Sequence, residues 1–339
     1  MKILVRATNW IGDAVMSLPV VRALREHHPT AEIFVLARPW VADLYLGEPG
    51  ISRIIPLAGA PGPKAFAAKW QQAAELRRER FDLAVLLPNS FESAALLFAA
   101  GIPRRVGYAR DGRSLLLTDA IPVPKPGELP RHERYYYPEL LRRAGLIPAL
   151  PDLPEIHFHS PIAARERGRQ LLAARGLSQI AIGVSPGAAF GGAKRWLPER
   201  FAEAASALAA QLNAQVLVFG SAGERQMCEE VAQLCHGQNL AGDTTLREFI
   251  DLTAACRFFL TNDSGAMHIA AALQVPSITV FGPTDETGTG PCSQTAHLIR
   301  ELGIECAPCK KRECPIDHRC MTRVTSTQVI EAALRILNP

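Results

Sequence analysis

What most constrains this chain is an alternation. Short runs rich in Val, Ile, Leu and Phe recur along it, separated by amphipathic stretches of about 10 to 15 residues, the pattern of βαβ units and parallel sheets. In the first half, strands are expected at 2–7, 32–37, 51–57, 83–88 and 104–109. A proline-rich stretch, 145–161, interrupts the pattern. It then restarts, with strands expected at 180–187, 215–220, 239–242, 257–263 and 277–283. At 339 residues there is material for two domains of about 150 residues each. The expected organisation is therefore α/β, with two Rossmann-like doubly wound domains, 1–155 and 156–325, facing across a cleft. A final helical segment, 326–339, could pack on either domain.

Composition narrows the partners. With 48% hydrophobic and 21% charged residues this is an ordinary folded chain. Its longest uncharged apolar stretches, such as 94–102, fall far short of the roughly 20 residues of a membrane span. The start lacks the apolar core and small-residue cleavage site of a secretory signal, so a cytoplasmic location is expected. The net charge of +4 is unevenly placed. Residues 1–160 hold 20 Lys and Arg against 16 Asp and Glu, whereas 161–339 hold 17 against 17. A partner with acidic groups, or an anionic membrane face, would meet the first half. No nucleic-acid partner is expected.

In parallel α/β sheets, ligands gather where strands hand over to helices. The junction SPGAAFGGAKRWLPERF (185–201) holds Ser185, three glycines (Gly187, Gly191, Gly192) and the pair Lys194-Arg195 before a helix expected to begin at Pro198. Glycines allow backbone N–H groups to approach a phosphate, and lysine adds a full charge, so this is a candidate diphosphate loop. It matches neither the P-loop nor the dinucleotide fingerprint. At FGSAGERQMCEE (219–230), Glu224 falls in the first turn of the next helix, where it could accept from a ribose diol or simply favour the helix dipole. LTNDSGAMHIAAAL (260–273) is the densest polar cluster, with Asp263 or Ser264 able to cap a helix, Gly265 open to a ligand and His268 on the same face. No Asp-x-Asp occurs, so the carboxylate pair that commonly holds a divalent ion on a nucleotide sugar is missing. Asp13, just inside the first helix after Asn9-Trp10-Ile11-Gly12, is either a helix-terminal carboxylate or a general base. Cys306, Cys309, Cys314 and Cys320, with His318 among them, could hold a structural zinc, remain reduced thiols or form a disulfide; their spacing is irregular.

Taken with these residues, the chain resembles glycosyltransferase family 9, the bacterial lipopolysaccharide heptosyltransferases. The resemblance spans nearly the whole chain and rests on RATNWIGDAVMSLP, PGAAFGGAKRWLPERF, TNDSGAMHIAAAL, FGPTDETGTGP and CAPCKKRECPIDHRCM, in that order. It implies a GT-B fold, with the acceptor on the N-terminal domain and ADP-heptose on the C-terminal one. By similarity Asp13 would be the general base and Lys194 the residue on the diphosphate and donor sugar. Ser185, Gly187, Glu224, Asp263, Ser264, Gly265 and His268 would complete the donor site, and Asn9, Trp10, Arg104 and Arg105 would meet the acceptor. Arg110, Arg113, Arg131 and Arg134 would be further acceptor or membrane-surface contacts. The implied reaction is inverting and needs neither metal nor cofactor. It adds a second heptose to the lipid A inner core at the inner face of the inner membrane. First-heptose enzymes of the family usually lack the Asn9-Trp10 pair, which favours the second transfer. Alternatives are another acceptor within the family and a sugar epimerase of the same architecture.

Overall fold

The computed structural model describes residues 1–59 and 64–337, with side chains for all of these but 64–66. The last two residues of the expected final segment lie outside the described residues. The chain divides into two units, Met1–Leu153 and Pro154–Pro339.

In the first unit the strands are β1 (Lys2–Arg6), β2 (Glu32–Ala37), β3 (Ile51–Pro56), β4 (Leu83–Leu86), β5 (Arg104–Tyr108) and β6 (Asp119–Ile121). They form a six-stranded sheet among the described residues, in the order β3-β2-β1-β4-β5-β6, parallel throughout. The second unit repeats the plan with β7 (Ala181–Ser185), β8 (Gln215–Val218), β9 (Gln238–Asn239), β10 (Phe258–Asn262), β11 (Ser277–Phe281) and β12 (Ala296–Arg300). Its order is β12-β11-β10-β7-β8-β9, again parallel. Numbered within its own unit, each sheet reads 3-2-1-4-5-6, the Rossmann order. Winding reverses between the first and fourth strands, and that is where such sheets bind ligands.

Burial explains which strands the apolar pattern revealed. β4, β7, β10 and β11 are buried at every position, because helices cover both faces of their sheets. Two strands were not expected from the pattern. β6 has only three residues, and β12 is an edge strand whose His297 and Leu298 are exposed, so neither carries an apolar run. Each sheet consequently has six strands among the described residues rather than the five expected.

The helix Pro198–Leu212 opens with proline in its first turn and ends at Asn213 in the left-handed conformation. Against it lies the last helix, Ser326–Leu337: the Ser326 hydroxyl donates to Glu203 at 2.6 Å, and Val329 and Ala333 are fully buried in the cluster that contains Phe201 and Ala205. The final helix thus belongs to the second unit. The proline-rich segment runs along the same unit, with Ile156 N–H donating to Cys292 O and Phe158 N–H to Ala272 O. No described helix is long and apolar enough to cross a membrane.

Candidate active site

In both units most of the candidate residues lie where strands exit the sheet, next to the reversal point; Arg104 and Arg105 do not. In the first unit, β1 ends at Arg6 and the chain turns through Asn9 and Trp10 into the helix Ile11–Met16, with Asp13 in its first turn. This helix has no side-chain cap at Trp10. The loop is held from beneath. Arg6, only 3% exposed, donates to Ala7 O and, at 2.7 Å, to Asn9 Oδ1, while the indole of Trp40 donates to Asn9 O at 3.0 Å. Burial, then the charge of Arg38, pulls the Arg6 pKa down to about 10, which leaves it protonated at neutral pH. Asp13 is half-buried, and its charge, with that of Arg6, is felt by Tyr45, whose phenol burial pushes up to about 12. Trp10 and Trp40 are each 56% exposed, so two indoles stand at this edge.

Across the reversal point, the loop after β4 is tied to a second buried arginine. Arg113 is fully buried and donates to Tyr108 O, Pro88 O, Ser93 Oγ and Asn89 Oδ1. Asn89 in turn donates to the Tyr136 hydroxyl at 3.0 Å. This corrects the expectation of Arg113 as a surface contact: it braces the loop from inside. Arg104 and Arg105 need a larger correction. They begin β5, in register with Leu83 and Ala84 at the start of β4, so they lie at the entry edge, a strand length of roughly 13 Å from the Asp13 edge. Arg104 pairs with Asp119 at 2.9 Å and donates to Ala144 O; Arg105 donates to Leu116 O and Ile102 O. Their placement separates them from Asn9, Trp10 and Asp13.

In the second unit, the loop after β7 and the loop after β10 flank the reversal point and are cross-linked. Asn262 donates to Pro186 O at 2.6 Å and accepts from Trp196 N–H at 2.9 Å; Thr261 Oγ1 donates to Ser185 O at 3.2 Å and lies 3.3 Å from Ser264 Oγ. Lys194 Nζ sits 2.6 Å from Asp263 Oδ2, with side chains 13% and 5% exposed. Thr284, from the loop after β11, donates to the same Asp263 oxygen, and Lys194 lies 5.0 Å over the Phe190 ring. Gly265 begins the helix Gly265–Ala272, Ser264 stands at its cap position without a side-chain cap bond, and His268 is buried within it. Glu224 closes a capping box with Ser221. Ser185, Gly187, Lys194, Glu224, Asp263, Ser264, Gly265 and His268 therefore share one edge of one sheet.

The glycines of the Lys194 loop also have close protein neighbours. A Cβ on Gly187 would come within 2.2 Å of Glu224 Oε1, one on Gly191 within 2.3 Å of Arg312 O, and one on Gly192 within 2.5 Å of Glu313 Oε2. Only at Gly191 is the close neighbour backbone; at Gly187 and Gly192 it is the end of a glutamate side chain, which can move. Sequence reasoning also missed Asn262 and Thr284. Asn262 was detectable as a polar residue ending an otherwise apolar strand. Thr284 lay in a stretch, FGPTDETGTGP, that had no role assigned. Cys306, Cys309, Cys314, Cys320 and His318 line one small cavity, yet among the described residues no three His, Cys, Asp or Glu side chains are grouped to hold a metal ion.

Comparison with known proteins places this geometry. Residues 70–319 match the model of glycosyltransferase family 9 (heptosyltransferase). The chain is 36% identical over 309 residues to lipopolysaccharide heptosyltransferase 2 of Salmonella typhimurium, covering 88% of each chain. Lipopolysaccharide heptosyltransferase 1 of Pseudomonas aeruginosa is more distant, 24% identical over 346 residues, covering 93% of this chain and 87% of that one. Among solved structures, Escherichia coli ADP-heptose LPS heptosyltransferase II superposes with a TM-score of 0.82 at 32% identity, covering 99% of this chain and 98% of that one. With a family match across most of its length and two Rossmann-ordered sheets presenting their polar residues at the reversal points, the chain belongs to glycosyltransferase family 9, the heptosyltransferases.

Proposed function

We propose that this enzyme transfers heptose from ADP-heptose to the first heptose of the lipopolysaccharide inner core, in one inverting displacement that requires no metal or other cofactor. The observation that carries the donor half is the Lys194–Asp263 pair at the reversal point of the second sheet, beside the start of the helix at Gly265. A cation and helix N–H groups at that place match a departing diphosphate. The greater identity to heptosyltransferase 2 than to heptosyltransferase 1 supports the second transfer over the first.

The acceptor belongs to the first unit on this reading. Asp13 takes the proton of the attacking hydroxyl as its oxygen bonds to the anomeric carbon from the face opposite the phosphate. The carbon–oxygen bond to the diphosphate breaks, ADP leaves with the electron pair, and Lys194 meets the charge that develops on it. The mechanism requires both exit edges to engage one sugar. Asn9 and the exposed Trp10 are the acceptor contacts at this edge, and the buried cations Arg6 and Arg113 make it favourable for an acceptor bearing phosphates and acidic sugars. Arg104 and Arg105 have no part in it. Work on a lipid-borne acceptor places the enzyme peripherally at the inner face of the inner membrane.

The test is ADP release from ADP-heptose in excess chelator, with and without monoheptosylated Kdo-lipid A. Acceptor-dependent release that survives chelation is expected. Release only with non-heptosylated acceptor would assign the first transfer, and conversion of donor alone would assign an epimerase.

A further inference from the structure

The segment 310–320 lies outside the donor residues named above, yet it grips the loop that carries Lys194. Arg312 O accepts the Ala193 N–H at 2.9 Å, and Glu313 Oε1 accepts the Gly192 N–H at 2.9 Å. His318 Nε2 stands 2.8 Å from Ala193 O. A carbonyl only accepts, so that ring nitrogen carries the proton. Both peptide groups flanking Ala193 are therefore held, the second of them being the one that leads into Lys194. The same segment reaches the other side of the ion pair: Lys310 N–H donates to Pro283 O at 2.8 Å, next to the Thr284 that bonds Asp263. Arg312 lies 5.3 Å over Phe190, the ring that Lys194 also covers.

His318 is also anchored through its own backbone. It adopts the left-handed conformation, φ 57°, which histidine accepts more readily than most residues, and its N–H donates to Cys314 Sγ at 3.3 Å. Cys306, Cys309, Cys314 and Cys320 line the cavity behind it, together with Ala193. A side chain that reaches across to fix the carbonyl leading into Lys194 points to a positional task. Gly191 fits the same picture, since a Cβ there would meet the Arg312 backbone and push the segment away.

We propose that the cysteine-rich segment is a strap that positions Lys194 for the departing diphosphate, with His318 and Glu313 as positioning residues acting through the Gly192–Ala193–Lys194 backbone. This rests on the donor role proposed for Lys194. The strap holds the turn Gly192–Lys194 at a fixed depth, so that the ammonium group meets Asp263 before the donor arrives and the diphosphate afterwards.

Two substitutions separate positioning from mere stability. His318→Asn suits the left-handed backbone but is too short to reach Ala193 O, whereas His318→Gln suits it less and restores a donor at the Nε2 position. Turnover of ADP-heptose, melting temperature, and the rate at which Lys194 is acylated by an amine reagent, read by mass spectrometry, are measured on all three proteins. Expected for His318→Asn are a fall of about tenfold in kcat/KM for ADP-heptose, an unchanged KM for the acceptor and several-fold faster acylation of Lys194. His318→Gln should stay within about threefold of wild type on each count. Glu313→Gln, which keeps an acceptor for Gly192 N–H, should likewise exceed Glu313→Ala in turnover. Equal acylation rates in the three proteins would overturn the proposal, as would activities that follow melting temperature alone. Acylation needs no turnover, so full activity in Lys194→Ala would remove the donor role while leaving the strap's effect on Lys194 separately readable.

Discussion

The two exit edges share one topology but treat buried positive charge in opposite ways. In the first unit, Arg6 and Arg113 are 3% and 0% exposed and give their hydrogen bonds to neutral oxygens: main-chain carbonyls, Asn9, Asn89 and Ser93. Burial draws both down to about 10, still well above neutral pH. In the second unit the partly buried cation, Lys194, has a carboxylate at 2.6 Å. A guanidinium spreads its charge over five donors and can be satisfied by carbonyls, whereas an ammonium is a compact charge that calls for an anion. The first edge thus keeps two buried cations bonded to neutral atoms, beside the half-buried Asp13. The second keeps its cation neutralised until a phosphate competes for it.

The sharpest way to break this contrast is Lys194→Ala. Turnover should drop by about 10² to 10³, with weaker ADP binding by calorimetry, because the leaving group loses its cation. If ADP binding is unchanged, the donor site lies elsewhere. Asp263→Asn comes next. It leaves the lysine buried without its counter-charge and should cost about 3 kcal/mol in chemical denaturation, whereas the double variant Lys194→Met/Asp263→Leu should recover much of that stability but no activity. Arg113→Met should cost less, about 1 to 3 kcal/mol, since it removes a donor from Pro88 O, Ser93 and Asn89 but leaves no lone charge, and Tyr108 O keeps the Arg110 N–H. Equal losses for Asp263→Asn and Arg113→Met would erase the distinction between the edges.

A last effect is confined to alkaline pH. Burial raises the thiols of Cys228 and Cys256, both in the second unit, from 9.0 to about 12. Raised folded values mean that the native state holds protons the unfolded chain has released. Their contribution is therefore complete below pH 9 and fades as pH climbs from 9 to about 12. Each thiol should lower stability by about 1.4 kcal/mol per pH unit in that window. Replacing either with Ala should reduce the slope of denaturation midpoint against pH, and an unaltered slope would mean that these thiols do not titrate differently on folding.

Much of the fold was legible because the central strands are buried on both faces and write themselves as apolar runs. β6 and β12 were not, since an edge strand needs no such run. Asn9, Asp13, Lys194 and Asp263 could be picked out because they stand at strand-to-helix junctions, where ligands gather, although capping also places polar residues there. Arg104 and Arg105 misled because a count of charges ignores strand direction: a residue opening a strand and one closing it are on opposite edges. The glycines near Lys194 are legible only in part. A glycine announces that something comes close but not what, and here Glu224, Arg312 and Glu313 come close. Those partners lie as far as 121 residues away in sequence, beyond any local pattern.

The account depends above all on Asp13 as the group that takes the proton from the attacking hydroxyl. The direct measurement is steady-state transfer by Asp13→Asn, with ADP affinity determined on the same protein. A fall in kcat of about 10² to 10⁴ with ADP affinity unchanged is the predicted result. Turnover within a few-fold of wild type would contradict it and move the base to another residue.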